Sequence, residues 1–242
     1  MSYFHLNKID AIESTNSALK LNYQKGGLQH GEGIWALNQT KGKGQREATW
    51  ISQPYKNLTF SFFLRHKNLA IEHPFQLNCL VTLAIKRTLN LFNIPAISIK
   101  WPNDILSENR KLCGILIENI YRGSAVNGSI VGIGLNVNQD DFSHLPKASS
   151  MCLCSGRNFK LEDVLDVLLN QLEVELTSSK SYSSVRAEFT QALYGHHKAL
   201  RFKANGREFE ATIEGITSAG LLSVVANGQR QHYNFKEIEM LY

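Results

Sequence analysis

The stretch from residue 97 to residue 137 constrains the fold more than any other part of this 242-residue chain. It contains three apolar runs, at 97–100, 112–120 and 129–137, each of a length and composition typical of a strand. We expect the last two runs to pair antiparallel, joined by a turn that includes Gly123 and Asn127-Gly128. The chain is therefore predicted to form a sheet around this segment.

Strands and helices alternate through most of the first 195 residues. Further strands are predicted at Tyr3–Ile9, 34–37 and 58–64, and residues 39–57 and 138–158 are predicted to be irregular. Helices are predicted from the Ser14-Thr15-Asn16 cap to Gly26-Gly27, from Pro74 through Leu89, at 161–176 and at 185–194. After Gly195 the strands become short and the turns close together, which indicates a small antiparallel barrel. The predicted domains are residues 1–195 and 196–242.

Composition excludes several classes of protein. Hydrophobic residues make up 43% and charged residues 19%, so the chain is not a disordered one. No apolar run reaches the roughly 18 residues that cross a bilayer, and the N-terminus lacks a signal-peptide pattern. The four cysteines form no C-x-x-C pair, so we expect reduced thiols and a cytoplasmic protein. The net charge of +5 suits a phosphate-bearing ligand or an acidic partner.

The first candidate motif is the glycine-containing run 42–46, Gly-Lys-Gly-Gln-Arg. Its glycines let the backbone approach a ligand closely, and Lys43 and Arg46 add positive charge. It is not a dinucleotide fingerprint, because Glu47 stands where the third glycine belongs, and it is not a P-loop. A solvated basic turn remains an alternative interpretation.

Three further motifs lie on or beside the predicted strands. Residues 100–104, Lys-Trp-Pro-Asn-Asp, end a strand and hold a lysine near a carboxylate. Lys111 opens an apolar strand in which Gly114 leaves room for a ligand. Residues 132–138, Gly-Ile-Gly-Leu-Asn-Val-Asn, again combine glycines with an amide, at Asn136. Each motif has a purely structural alternative. Residues 100–104 could form an Asx turn, Lys111 could merely flank a strand, and residues 132–138 could form a β-bulge.

Taken in order, these motifs resemble the biotin protein ligases, the biotin–[acetyl-CoA-carboxylase] ligases. The match rests on Ser14-Thr15-Asn16, Gln39 followed by Gly42-x-Gly44, Trp50, and the runs 100–104, 110–118 and 132–138. The resemblance implies an α/β (α+β) fold with a mixed, mostly antiparallel sheet, flanking helices and a C-terminal SH3-like barrel. It also implies ATP-dependent activation of biotin to biotinyl-5′-AMP, followed by transfer to one lysine of a biotin carboxyl carrier protein.

Site roles are carried over from the resemblance. Biotin is expected to contact Ser14, Thr15, Asn16, Gln39, Gly42, Lys43, Gly44, Gln45, Lys111 and Gly114. ATP is expected to contact Lys43, Arg46, Trp50, Lys100, Asn103 and Asn136. Lys111, Asp104 and Lys43 are the expected catalytic residues, and Mg²⁺ is expected to be bound mainly through the ATP phosphates.

The loop at 42–47 departs from the usual Gly-Arg-Gly-Arg-x-Gly of the family, because Gln45 replaces an arginine and Glu47 a glycine. The biotin-site motif begins at residue 14, so no N-terminal DNA-binding domain and no membrane segment are expected, while a homodimer is left open. A lipoate- or octanoate-protein ligase relative is the nearest alternative function. A nucleic-acid-binding module is a more distant one, since no recognition helix or stacking-aromatic motif is evident.

Overall fold

A computed structural model describes residues 3–45, 48–123 and 125–241 of the chain. The helices are α1 (Thr15–Gly26), α2 (Gln76–Leu91), α3 (Met151–Ser155), α4 (Leu161–Leu176) and α5 (Tyr182–Gln191). The first nine strands are β1 (His5–Ile12), β2 (Glu32–Gln39), β3 (Gly42–Lys43), β4 (Thr49–Trp50), β5 (Leu58–Arg65), β6 (Ile97–Lys100), β7 (Asp104–Ser107), β8 (Arg110–Arg122) and β9 (Ala125–Leu135). The last five are β10 (Ala199–Ala204), β11 (Arg207–Ile216), β12 (Leu222–Ala226), β13 (Gln229–Tyr233) and β14 (Ile238–Leu241).

Seven strands form the central sheet, in the order β1-β2-β5-β9-β8-β7-β6. Strands β1 and β2 run parallel, and the other neighbouring pairs run antiparallel. The predicted mixed, mostly antiparallel sheet is thereby confirmed. Strand β5 is buried along nearly its whole length, which fits its position near the middle of the sheet.

Helices cover both faces of this sheet. On one face, Leu19 of α1 packs with Ile34, Phe63 and Ile130 in a small apolar cluster. On the other face, α2 and α4 contribute to the main core, which also contains the alternate strand residues Phe60 and Phe62. Since side chains alternate along a strand, the register of β5, β8 and β9 decides which residues face α1.

The last five strands form a second, antiparallel sheet, in the order β13-β12-β11-β10-β14. It corresponds to the predicted small β domain, but the described ladder leaves β13 and β14 as its edges, so the barrel is not closed. The two sheets are in contact, because the indole Nε1 of Trp101 donates to the carbonyl of Gly220 at 2.9 Å. The main core continues from one sheet into the other. The boundary at Gly195 between independent domains therefore stays a prediction.

Six local predictions need correction. Asn127 and Gly128 lie within β9 and pair with β8 and β5, so they do not form the connecting turn. Strand β7 was not predicted; it forms a hairpin with β6 across the cis Trp101–Pro102 peptide. The helix predicted from Pro74 begins at Gln76, and α5 begins at Tyr182. Helix α3 and the short pair β3–β4 lie in stretches predicted to be irregular.

Candidate active site

A cavity of about 440 Å³ opens on the α1 face of the central sheet. Its wall is formed by the start of α1, the β3–β4 hairpin, the turn at 100–104, strands β8 and β9, and Phe235 and Lys236 of the second sheet. Most of the predicted site residues line it: Ser14, Thr15, Asn16, Gln39, Lys43, Gly44, Gln45, Trp50, Lys100, Asn103, Asp104, Lys111 and Gly114. The volume lies within the usual range for a small-molecule site.

Three strand glycines form the floor of this cavity. A Cβ atom on Gly132 would lie 2.1 Å from Oδ1 of Asn16, and one on Gly134 would lie 2.4 Å from the indole of Trp50. A Cβ on Gly114 would lie 3.0 Å from the same indole. The register pairs Gly114 with Gly134, so the two glycines stand side by side beneath Trp50. These positions exclude side chains because α1 and Trp50 approach the sheet closely.

One end of the cavity is neutral and linked by hydrogen bonds. The carboxamide oxygen of Gln39 accepts from the backbone N–H of Thr15 at 2.7 Å and lies 3.0 Å from its hydroxyl. The hydroxyls of Thr15 and Ser61 are 2.6 Å apart, and Ser61 donates to Oδ1 of Asn16 at 2.6 Å. Ser14 caps α1 by accepting from the N–H of Ser17. We call this set, Ser14, Thr15, Asn16, Gln39 and Ser61, the head end.

The other end of the cavity carries charge. The ammonium of Lys111 lies 2.7 Å from Oδ1 of Asp104, across the β7–β8 pair, and 5.7 Å from the centre of the Trp50 ring. Burial lowers the pKa of Lys100, and Asp104 partly offsets this while Lys111 adds to it. Lys43 reaches the cavity from β3. We call Lys43, Lys100, Asp104 and Lys111 the charged end.

The turn that positions the charged end is fixed by two amides. Nδ2 of Asn103 donates to the carbonyl of Ile115 at 2.6 Å, and the N–H of Ile115 donates to the carbonyl of Asn103 at 3.1 Å. Nδ2 of Asn78 donates to the carbonyl of Pro102 at 2.6 Å. Asn103 thus ties the turn to β8, while its predicted contact with ATP stays a prediction.

Three predicted residues do not line the cavity or fall outside the described part. Gly42 lies on β3 opposite Trp50 of β4, where a Cβ would be 2.4 Å from the carbonyl oxygen of Trp50. Nδ2 of the buried Asn136 donates to the carbonyl of Ser149 at 3.0 Å, away from the cavity wall. Arg46, together with Glu47, lies outside the described residues.

Ser61 and Glu118 do not line the cavity but both bond to Asn16, which does, and the sequence-based site set did not include them. Ser61 is a polar residue inside the apolar run 58–64, and that interruption is the signal that could have identified it. Glu118 closes the run 110–118, and its Oε2 accepts from Nδ2 of Asn16 at 3.0 Å. The contribution of Phe235 and Lys236 depends on how the two sheets meet, which no local pattern encodes.

The arrangement suits an elongated ligand with one neutral polar end and one anionic end. Asp104 is the sole acidic residue among the described residues of the cavity wall. The described residues also contain no group of three or more His, Cys, Asp or Glu side chains able to hold a metal. Asp104 is thus the one carboxylate on the described wall that a magnesium ion could contact, and binding of that ion chiefly through ligand phosphates stays a prediction. No helix of the described residues is long and apolar enough to cross a membrane.

Comparison with known proteins gives two kinds of match. The sequence model of the Biotin/lipoate A/B protein ligase family matches residues 9–136. The bifunctional ligase/repressor BirA of Bacillus spizizenii is 32% identical over 224 residues, which cover 90% of this chain and 68% of that protein. The biotin–[acetyl-CoA-carboxylase] ligase of Paracoccus denitrificans is 37% identical over 128 residues, or 52% of this chain and 51% of that protein.

A solved structure shows the same fold over the whole chain. It is the biotin protein ligase of Aquifex aeolicus in complex with biotin and ATP. The two chains superpose with a TM-score of 0.82 at 22% sequence identity, and the match covers 98% of each chain. The likeness extends through both sheets, so the predicted fold class is confirmed.

Proposed function

The chain belongs to the Biotin/lipoate A/B protein ligase family, and from this premise we propose that it is an ATP-dependent biotin–protein ligase. The observation that carries the proposal is one cavity with a neutral hydrogen-bonding end and a cationic end. Biotin has the same polarity, with a cyclic urea at one end and a carboxylate at the other. The Paracoccus denitrificans relative, which is named as a biotin–[acetyl-CoA-carboxylase] ligase, supports biotin over lipoate.

In the first half-reaction, the biotin carboxylate oxygen attacks the α-phosphorus of ATP and pyrophosphate leaves. The head end holds the urea, and Lys111, with Lys43 and Lys100, stabilises the negative charge that develops between carboxylate and phosphate. A magnesium ion on the phosphates would supply further charge neutralisation when bound. Trp50, already lying over Gly114 and Gly134, offers a surface on which the adenine can stack.

In the second half-reaction, a lysine amine attacks the acyl carbon of biotinyl-5′-AMP, an amide bond forms and AMP leaves. The nucleophile belongs to the acceptor protein, so this enzyme contributes position and charge. We propose a lysine of a biotin carboxyl carrier protein as the acceptor. Asp104 is positioned to orient the incoming amine, since it lies at the cavity wall beside Lys111.

We also propose that residues 196–242 act as a separate C-terminal unit that closes the charged end of the cavity with Lys236. The four cysteines form no disulfide, as expected in a reducing compartment, and we propose that the enzyme works in the cytoplasm.

The test is to incubate the full chain with ATP and either biotin, lipoate or octanoate, and to measure pyrophosphate release. A carrier domain is then added and its mass is measured. We expect release with biotin and a gain of one biotin on one lysine. Faster release with lipoate or octanoate, or no gain of mass with biotin, would overturn the proposal.

A further inference from the structure

Glu118 has no role in the chemistry described above, yet through Asn16 and Ser61 it controls the hydrogen bonding of the head end. Glu118 lies on β8, where it pairs with Ile130 of β9, and its two oxygens face α1. Oε1 binds the ammonium of Lys20 at 3.1 Å, and Oε2 accepts from Nδ2 of Asn16 at 3.0 Å. Lys20 follows Asn16 by one helical turn, so a single carboxylate holds both side chains.

The carboxylate fixes which way the Asn16 amide points. An ionised carboxylate only accepts hydrogen bonds, so the amide nitrogen of Asn16 must face Glu118. Oδ1 of Asn16 therefore faces Ser61, which must donate its single hydroxyl proton to it, at 2.6 Å. At the 2.6 Å contact between Thr15 and Ser61, Thr15 is then the donor.

This ordering leaves one contact of the hydroxyl chain without a proton. Three contacts, Gln39 with Thr15, Thr15 with Ser61 and Ser61 with Asn16, share two hydroxyl protons. These side chains are almost wholly buried, apart from Gln39, so water satisfies few of the remaining lone pairs. A ligand that brings N–H donors would satisfy them.

We propose that Glu118 is a positioning residue that, through Asn16 and Ser61, makes the head end a hydrogen-bond acceptor and so selects acids whose far end carries N–H groups. This inference rests on the proposed ligase function and deepens it. A cyclic urea supplies two such N–H groups. A dithiolane or an alkyl chain supplies none, and it would leave buried acceptors unpaired, which is the strongest form of discrimination available to a polar pocket.

The experiment measures pyrophosphate release by the full chain with biotin, desthiobiotin and lipoate, for wild type, Glu118→Gln and Ser61→Ala. Desthiobiotin keeps the cyclic urea and lacks the ring sulfur. In Glu118→Gln the new amide can donate to Asn16, which frees the Asn16 amide to turn over. We expect KM for biotin and for desthiobiotin to rise about tenfold in both variants, with kcat within about twofold. KM for lipoate should not rise, so the preference for biotin falls.

A compensating exchange and a matched control separate positioning from general damage. In the double variant Asn16→Asp/Glu118→Gln, the carboxylate introduced on α1 again accepts from Ser61, while the amide introduced on β8 donates to that carboxylate. KM for biotin should therefore be lower in the double variant than in Asn16→Asp alone. The control is Glu162→Gln, which removes another Glu–Lys contact, at 2.7 Å to Lys8, in a pair that does not line the cavity. It should leave every KM unchanged.

The outcomes distinguish the two proposals. If wild type releases no pyrophosphate with biotin, the ligase function fails. If wild type is active but Glu118→Gln keeps both its biotin KM and its preference over lipoate, the positioning role is overturned while the ligase function stands. An equal rise in KM for biotin and lipoate would also overturn it, because it would indicate a structural effect.

Discussion

The head end and the charged end of the cavity differ in the charge of their side chains and in how far those side chains are exposed to solvent. Thr15, Asn16 and Ser61 are neutral, almost fully buried and bonded to one another. Lys111 and Asp104 are ionic, and their side chains are 34% and 19% exposed. Neutral buried groups discriminate between ligands by leaving partners unpaired, whereas charges act on the charge that develops during reaction. We therefore expect the head end to govern KM for biotin and the charged end to govern the rate of adenylation.

The largest effect is expected for Lys111→Ala, which tests the charged end. Adenylate formation, measured by pyrophosphate exchange, should fall about 10²–10³-fold, while the affinity for biotin alone changes little. Lys111→Arg should recover part of the rate, because it restores the charge. Arg110→Ala is the matched control, since Arg110 is exposed and precedes Lys111 on β8. Pyrophosphate exchange at a near-normal rate in Lys111→Ala would show that the charged end does not govern the rate of adenylation.

Two glycine variants compare the ends directly. Gly134→Ala forces Trp50 to move and should raise KM for ATP, whereas Gly132→Ala forces Asn16 to move and should raise KM for biotin. Overpacking should also cost each variant about 1–3 kcal/mol of stability, measured by denaturant unfolding. Gly26→Ala is the control, because a Cβ there meets nothing within 4 Å. If Gly134→Ala and Gly132→Ala raise the KM of the same substrate, the head end and the charged end do not bind separate substrates.

At the head end, Thr15→Val removes a hydroxyl and keeps the shape of the side chain. We expect KM for biotin to rise about tenfold and kcat to change little, because Ser61 and Gln39 lose their shared partner. The control is Thr59→Val on the same strand as Ser61, whose hydroxyl donates to the carbonyl of Ala36 at 2.7 Å. That variant should lose stability without a change in KM. A fall in kcat without a rise in KM for Thr15→Val would contradict the expectation that the head end governs KM for biotin.

The sequence predicted the parts of the site that short motifs encode. The cap at Ser14, the long strands β8 and β9, and the glycines at 114, 132 and 134 could all be read from local residues, and the structure brings them to one cavity. Composition and turn spacing also revealed the second sheet. These features depend on contacts within a few residues or on the strand period of two.

Other features depend on distant contacts and could not be read in that way. Ser61 and Glu118 meet Asn16 across sequence separations of 45 and 102 residues. The hydrogen bond from the Asn136 amide to the carbonyl of Ser149 was also not predicted, while the expected contact of Asn136 with ATP stays a prediction. Asn127-Gly128 is a strong turn signal, yet pairing on both sides holds it within β9, so tertiary pairing overrides the local preference.

A smaller, pH-dependent effect is expected from Lys100. Burial lowers the pKa of its ammonium, so its charge is lost at a lower pH than in an ordinary lysine. Adenylation should therefore decline on the alkaline side, and Lys100→Arg should move that decline to higher pH, because arginine stays protonated. The unfolded chain binds this proton more tightly than the folded chain, so the contribution to stability rises with pH through the same window. Activity that fell together with stability would point to unfolding instead.

The smallest effect is expected for Lys236, which brings the second sheet to the charged end of the cavity. Lys236→Gln should raise KM for ATP about twofold to threefold at low salt, because a surface charge acts weakly in water. The difference should shrink at high salt, since an exposed charge is screened over roughly 10 Å at 0.1 M ionic strength. Lys203→Gln, an exposed lysine on β10 that does not line the cavity, is the control. The head end should show no comparable salt dependence, because its neutral groups present no net charge to screen. A salt-dependent KM for biotin in the Lys236→Gln variant would contradict the expectation that the head end governs this KM.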